Sequence, residues 1–248
     1  MLNYIFLLFL TIGLLSFIFS KSSRDKGRYA INKYEKLLQF NFVKSHVLGN
    51  TGRNNLIQMF VINNSDEIDI PAVRIVANIH GNETTGVRLW YKVALYICKS
   101  YQKYLDGEIN DKNKKIARLV ENLNICIIPS MNPDNIFKWR GNKNWKDLNR
   151  DFHLDNNYNY QKETKLIIES TNMFNFVLDM ECHDGAHVLC FPYDYITKKK
   201  TPDNSTFEYI CDEYIKLNKN LINNPNPRKF KKGYIMGSHW YPANGTLR

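Results

Sequence analysis

The sequence predicts a single α/β domain, and three observations predict it. Short, almost wholly apolar runs at Ala72 to Ile79, Leu123 to Pro129 and Phe176 to Cys182 have the length and composition of strands buried on both faces. A long segment of helical periodicity, Glu83 to Leu105, lies between the first two, and strand, helix, strand is the pattern of an α/β sheet. No internal repeat, low-complexity tract or Pro/Gly-rich linker divides the chain, so its bulk reads as one domain of roughly 220 residues. The 248 residues, 44% of them apolar, are enough to fill one sizeable core.

Taken in order, Leu2 to Phe19 is an almost uninterrupted apolar run, followed by Ser20 and then Lys21-Ser-Ser-Arg24. It reads as a signal peptide over residues 1–20 with a short leader over 21–28, which directs the protein to the secretory route. The run is also long enough to span a bilayer and lacks a preceding basic residue, so an uncleaved membrane anchor over residues 2–19 is the alternative. The domain is then expected over 29–248.

Within it, Tyr29 to Phe40 is helix-periodic, Gly49 to Asn54 is a turn-rich break, and Leu56 to Ile62 is strand-like. Ala72 to Ile79 leads into a turn at His80. The segment Asn132 to Phe152 is polar, aromatic and aperiodic, an ordered loop of the length that tends to carry function. Gln161 to Phe174 reads as a helix, Phe176 to Cys182 as a buried strand and Thr206 to Leu221 as an outer helix.

Net charge is 34 minus 24, or +10, but apart from Lys198 to Lys200 and Arg228 to Lys232 the cations are scattered. Such runs are solvated loops, and no nucleic-acid partner is expected. The five cysteines (Cys98, Cys126, Cys182, Cys190, Cys211) sit mostly in apolar stretches without the spacing of a disulfide scaffold or zinc knuckle, and read as buried thiols with at most one or two bridges. Asn63-Asn64-Ser65 and Asn204-Ser205-Thr206 are glycosylation acceptors in loop-like surroundings, which suits a secreted protein. The sequons at Asn82 and Asn244 fall inside the motifs below and read as unused.

His80 and Glu83, three residues apart at a strand-to-helix turn, can reach one metal ion. Zinc accepts N and O ligands, and a hydrolytic site keeps one position open for water, so a third protein ligand is expected. Taken alone, His-x-x-Glu is common by chance. His183 is the candidate, because it too ends a strand, and open α/β sheets bind ligands at the carboxyl ends of their strands. His187 could pair with it on a helix, but Asp184-Gly185 between them is a turn signal. His46 and His153 lie in polar surroundings that mark them as nothing more than surface or core histidines.

Six blocks occur in a fixed order: His80-Gly-Asn-Glu83; Pro129-Ser-Met-Asn-Pro-Asp134; Arg140-Gly-Asn142 with Asp147-Leu-Asn-Arg-Asp-Phe152; His183-Asp-Gly-Ala186 with Phe191-Pro-Tyr-Asp194; Thr201-Pro-Asp203; and Trp240-Tyr-Pro-Ala-Asn-Gly245. In this order they resemble the zinc metallocarboxypeptidases, and look most like the N/E branch, from about Tyr29 to Arg248. The resemblance implies a mixed, mostly parallel twisted sheet with helices on both faces. It implies one zinc ion per chain on His80, Glu83 and His183, with Asp147 orienting the first histidine. Arg140 matches the arginine that stabilises the oxyanion, Asn149 and Arg150 the pair that grips a peptide's terminal carboxylate, and Tyr241 the tyrosine that closes over it. The implied activity is hydrolysis of the C-terminal peptide bond of peptides or proteins.

The chain departs from that pattern in two places. It stops at Arg248, inside a block that in the family runs on to a further strand, bearing the general-base glutamate, and a helix; neither has a counterpart here. An incomplete copy with poor turnover is therefore expected, since such a group is worth about 10² to 10⁴ in rate. Glu181, two residues before His183, is a conceivable substitute, but a supporting or core role suits it better. The position of Arg248 is usually a glutamine that helps select Lys or Arg at the substrate terminus, and a cation there implies a preference for neutral or acidic residues. Two alternatives remain: a zinc amide deacylase like aspartoacylase, which shares His-Gly-Asn-Glu and Asp-Leu-Asn-Arg, and a peptide-binding form that has lost turnover.

Overall fold

Two strands with almost no residue left to face water set the middle of the fold. The computed structural model describes residues 32–67, 69–153, 155, 157–196, 199–218, 221 and 230–247. The signal and leader expected over 1–28 lie outside these residues, as does Arg248. Strand β3 (Pro71–Ala77) is buried at every position after its proline, and β4 (Asn124–Ile128) at all of its positions. Around them β1 (Val43–Asn50), β2 (Leu56–Ile62) and β5 (Asn175–Cys182) complete a sheet of order β1-β2-β4-β3-β5. β3 runs parallel to both β4 and β5, whereas β2 is antiparallel to β1 and β4. A separate parallel pair joins β6 (Leu189–Phe191) to β7 (Tyr234–Met236).

Side-chain alternation sends apolar residues to both faces of the sheet. Phe60, Ile62, Val73, Ile75, Ile125 and Ile127 pack beneath α1 (Thr85–Leu105) and α2 (Asp111–Asn122). Met59, Val61, Ala72, Val76, Cys126 and Ile128 form the opposite core with Ile167 of α3 (Lys162–Ser170). Helix α4 (Asn204–Leu217) seals β6 through Phe207 and Cys211. This is the expected mixed α/β class, with helices on both faces.

Helix α1 shows how the sequence builds its elements. Val87, Trp90, Val93, Ala94, Ile97, Cys98 and Tyr101 recur at the spacing that lines one helical face. The helix ends at Gly107, whose φ of +92° is the left-handed turn that closes a C-terminus. Its start has no local cap: Asp184, from beyond β5, accepts hydrogen bonds from the Thr84 and Thr85 amides at 3.1 and 3.4 Å. A carboxylate there satisfies orphan donors and complements the helix dipole.

Several sequence expectations need correction. The break expected over Gly49 to Asn54 is shorter, because Gly49 and Asn50 still pair with Ile57 and Leu56 across a bulge in β1. The helix expected from Thr206 to Leu221 starts at Asn204 and stops at Leu217, and the one from Gln161 to Phe174 gives way to a 3-10 turn at Thr171–Met173. Strand β1 and helix α2 went unassigned. The sequons expected in open loops are tied into the fold: the Asn63 amide donates to Val120 and Leu123 carbonyls, and buried Asn204 donates to Glu208 at 2.9 Å. Asn82 and Asn244 are the exposed acceptors. Among the described residues no disulfide joins the cysteines; Cys98, Cys126 and Cys211 are buried, whereas Cys182 and Cys190 are only partly so.

One buried cation ties three elements together. Arg74 on β3 is 3% exposed and donates bidentately to Asp179 on β5 at 2.6 and 3.0 Å. Its remaining nitrogen reaches the Ile167 carbonyl, Ser170 and Thr171 at the end of α3, and the guanidinium lies 4.9 Å above the Phe176 ring. Removing one partner leaves a desolvated charge, which is worse than replacing both. Asp179→Ala is therefore expected to cost about 2 to 4 kcal/mol in urea unfolding, and Arg74→Met with Asp179→Leu distinctly less. A loss below about 0.5 kcal/mol for the single variant would show that the pair does not hold the sheet.

Candidate metal centre

The turn after β3 is held in shape before any metal is considered. Asn78 takes φ of +58°, a left-handed conformation that asparagine tolerates. Its amide nitrogen reaches the carbonyls of His80, Gly81 and Glu83 at 2.8, 3.1 and 2.8 Å, and Ser130 donates to its oxygen at 2.6 Å. Glu83 N also donates to the His80 carbonyl at 3.0 Å. These bonds bring the two side chains of the His-x-x-Glu pair to the same side.

The segment expected as a long ordered loop packs directly on this turn. Gly81 donates to the Arg140 carbonyl, Phe137 donates back to the Gly81 carbonyl, and a side chain at Gly81 would lie 2.5 Å from the Asn135 carbonyl and 2.6 Å from that of Trp139. Buried asparagines hold the loop together. Asn132 and Asn135 donate to the Gly141 carbonyl at 3.0 and 2.9 Å, and Asn142 donates to Gln161 and Glu163 at the start of α3. Two exposed indoles, Trp139 and Trp145, meet at 5.1 Å on its surface, flanking Arg140 and Asp147 in the chain.

On this platform the two histidines and Glu83 converge. The Nδ1 atoms of His80 and His183 lie 2.9 and 2.8 Å from opposite oxygens of the Glu83 carboxylate, and the rings are 4.8 Å apart. Nδ1 therefore faces inward on both, and Nε2 outward: His80 Nε2 is 3.0 Å from Asp147 Oδ1, and His183 Nε2 is 2.9 Å from Glu181 Oε1 and 3.1 Å from Asn149 Nδ2. The Asp184 backbone amide also donates to Glu83 at 3.1 Å. His187 stands outside this cluster, and Gly185 with φ of +116° confirms the turn that separates it from His183.

Charges are strongly coupled here. Burial pushes the Glu83 carboxyl up, but its hydrogen bonds with His183 and His80 outweigh that and hold it well below the usual carboxylate range. The same contest, decided by His80 and then Arg140, depresses Asp147. Burial lowers both imidazoles, yet the facing carboxylates win and raise them, His183 to about 9 through Glu181 and Glu83.

The residues expected to meet substrate surround this centre. Arg140 donates to Asp147 at 3.0 Å and reaches Glu83 at 3.4 Å, with nearly half its side chain exposed. Asn149 is buried, and its oxygen accepts from the Leu247 amide at 3.1 Å. Its neighbour Arg150 donates to the Asn149 carbonyl, and the guanidinium lies 5.9 Å from the ring of the exposed Tyr241. Sequence reading did not find Asn78, Ser130 or Asp184. An Asn between a β-branched run and a His-Gly turn was the one available sign of the first.

A donor set of two inward imidazole nitrogens and one carboxylate suits zinc, and the ligand atoms of His80, Glu83 and His183 all lie within 4.8 Å of one another. Tetrahedral zinc with bonds of about 2.0 to 2.1 Å holds its ligand atoms about 3.3 Å apart, so the two imidazole–carboxylate contacts of 2.9 and 2.8 Å must open slightly to admit the ion.

The family described as zinc carboxypeptidase matches residues 36–248. Carboxypeptidase M of Mus musculus is 30% identical over 230 residues, covering 82% of this chain and 50% of the relative. Carboxypeptidase SOL1 of Arabidopsis thaliana is 32% identical over 210 residues, covering 78% and 40%. The chain thus spans about half the length, or less, of these curated relatives. The crystal structure of thrombin activatable fibrinolysis inhibitor superposes with a TM-score of 0.66 at 16% identity, covering 96% of this chain and 67% of that one, a likeness of fold.

The closeness of loop and turn has a measurable cost if disturbed. Gly81→Ala is expected to lose about 2 kcal/mol or more, because backbone atoms on both sides must move. Gly107→Ala, with nothing within 4 Å, should lose only about 1 kcal/mol from its left-handed φ. Equal losses in chemical denaturation would mean that the loop does not press on the turn.

Proposed function

Because this chain belongs to the zinc carboxypeptidase family, we propose that the protein carrying it hydrolyses the C-terminal peptide bond of peptides or proteins, with zinc held by His80, Glu83 and His183. The observation that carries this reading is the convergence of those three side chains at the carboxyl ends of β3 and β5, with Arg140 beside them. Zinc bound there supplies a Lewis acid and a water of lowered pKa.

The chain's own residues do the rest. Asp147 accepts a hydrogen bond from the outer Nε2–H of His80, which leaves Nδ1 bare for the ion. Arg140 is held by Asp147, so a fixed positive charge waits where negative charge develops on the scissile oxygen. Asn149, Arg150 and Tyr241 form the receptor for a terminal carboxylate, and it is this recognition that makes the enzyme an exopeptidase. A polypeptide terminus is the substrate class. The Leu2 to Phe19 segment supports a secreted or lumenal location, with a membrane anchor as the alternative; among the described residues no helix is long and apolar enough to cross a membrane.

The test compares three substrates in the full protein: blocked dipeptides with a free carboxylate, the same with an amide, and N-acylated amino acids. The free acid should be cleaved fastest, a chelator should abolish the reaction and zinc should restore it. Arg140→Ala should lower kcat by about 10² to 10³, whereas Arg150→Ala should raise KM and shrink the preference for acid over amide. Faster release from N-acylated amino acids would replace the carboxypeptidase reading with a deacylase one.

A further inference from the structure

A carboxylate stands behind each histidine of the centre. Asp147 Oδ1 lies 3.0 Å from His80 Nε2, and Glu181 Oε1 lies 2.9 Å from His183 Nε2. The first partner comes from a distant loop, but the second is on β5 itself, two residues ahead of the histidine it faces. Only 3% of the Glu181 side chain is exposed. A carboxylate so nearly enclosed is costly without a proton donor, and the imidazole edge, at ion-pair distance but not aligned for a hydrogen bond to either Glu181 oxygen, needs a ring rotation to be one.

Two neighbours make opposite demands on His183 Nε2. Asn149 Nδ2, at 3.1 Å, is a donor and needs a bare Nε2, which puts the ring proton on Nδ1 and removes the lone pair a metal requires. Its amide cannot simply be turned, because Asn149 Oδ1 accepts from the Leu247 amide. Glu181 is an acceptor and needs the proton on Nε2, which leaves Nδ1 bare and aimed toward Glu83. A charged partner makes a hydrogen bond roughly twice as strong as a neutral one, so the carboxylate decides.

We propose that Glu181 is the positioning residue of His183, holding the imidazole in the tautomer that carries its proton on Nε2 and presents Nδ1 to the metal. The inference rests on the zinc reading above. It also leaves the Asn149 amide without its imidazole acceptor whenever the metal is in place, and so open to an incoming carboxylate.

Zinc affinity by chelator competition, with NMR of the imidazole nitrogens, tests this on the full protein and on Glu181→Ala, Glu181→Gln and His183→Ala. Glu181→Ala should weaken zinc by about 10- to 100-fold, and Glu181→Gln, which keeps an acceptor oxygen and nearly the same shape, should recover part of that. In the zinc-loaded wild type the His183 proton should be on Nε2. If Glu181→Ala fails to fold, as judged by circular dichroism, Glu181→Gln and the NMR measurement carry the test. Glu181 variants that bind zinc within about twofold of wild type, or a proton found on Nδ1, overturn the proposal. The controls separate the two readings: His183→Ala losing zinc while Glu181→Ala keeps it removes Glu181 alone, whereas His183→Ala with undiminished affinity removes the centre.

Discussion

Register between β3 and β5 is the constraint on which the centre depends. The pairing runs from Ala72 with Phe176, skips Val177 so that Val73 faces Leu178, and ends with Ala77 opposite Cys182. Without the skipped residue Glu181 would stand where Cys182 does, and every later side chain of β5 would face the other side of the sheet. His183 would then leave the strand end turned away from Glu83. Arg74 and Asp179 are register partners beyond the bulge, and their bidentate contact can form only in the observed alignment. On the other face Trp90 donates to Cys182 Sγ at 2.9 Å, which holds the strand end from the α1 side. A polar lock on one side and an indole on the other thus determine where two imidazoles meet.

Strands deliver the histidines, but the geometry between them is made by irregular backbone. Buried irregular backbone must find partners for its amides and carbonyls, and here asparagine side chains supply them. Asn78, Asn132, Asn135 and Asn142 each bridge carbonyls or amides that no regular element satisfies. Asparagine suits this because it carries donors and an acceptor on a short, uncharged stem. A composition rich in asparagine reads as bias in the sequence, yet at these positions it is structural.

Legibility followed burial. β3 and β4 announced themselves because a strand covered on both faces must be apolar throughout, and α1 because its buried stripe is long. The run Phe176 to Cys182 reads as equally buried, but β5 is the edge strand opposite β1 and none of its residues is fully buried. β1 did not, since it is an edge strand with only Val43 fully buried, and α2 did not, since its first turn is Asp-Lys-Asn-Lys and its apolar residues come late. The ligand triad was legible from short motifs at strand ends. The supports of that triad were not: Asp184 lies a hundred residues from the helix it caps, and no local pattern encodes a partner so distant. The two internal sequons misled for a related reason, because polar residues in a turn-like stretch can be engaged inward as easily as outward.

The position of Asp184 joins two things usually treated apart. Its carboxylate closes the first turn of α1, while its backbone amide and the adjacent His183 both engage Glu83. Fraying of that helix end and loosening of the ligand cluster are therefore a single opening event. In the language of hydrogen exchange, the Thr84 and Thr85 amides and the strand end before His183 belong to one cooperative unit, whose opening free energy rises with the free concentration of whatever occupies the centre relative to its dissociation constant. Occupancy of the site would thus be recorded in the slowest exchange rates of a helix that touches no ligand.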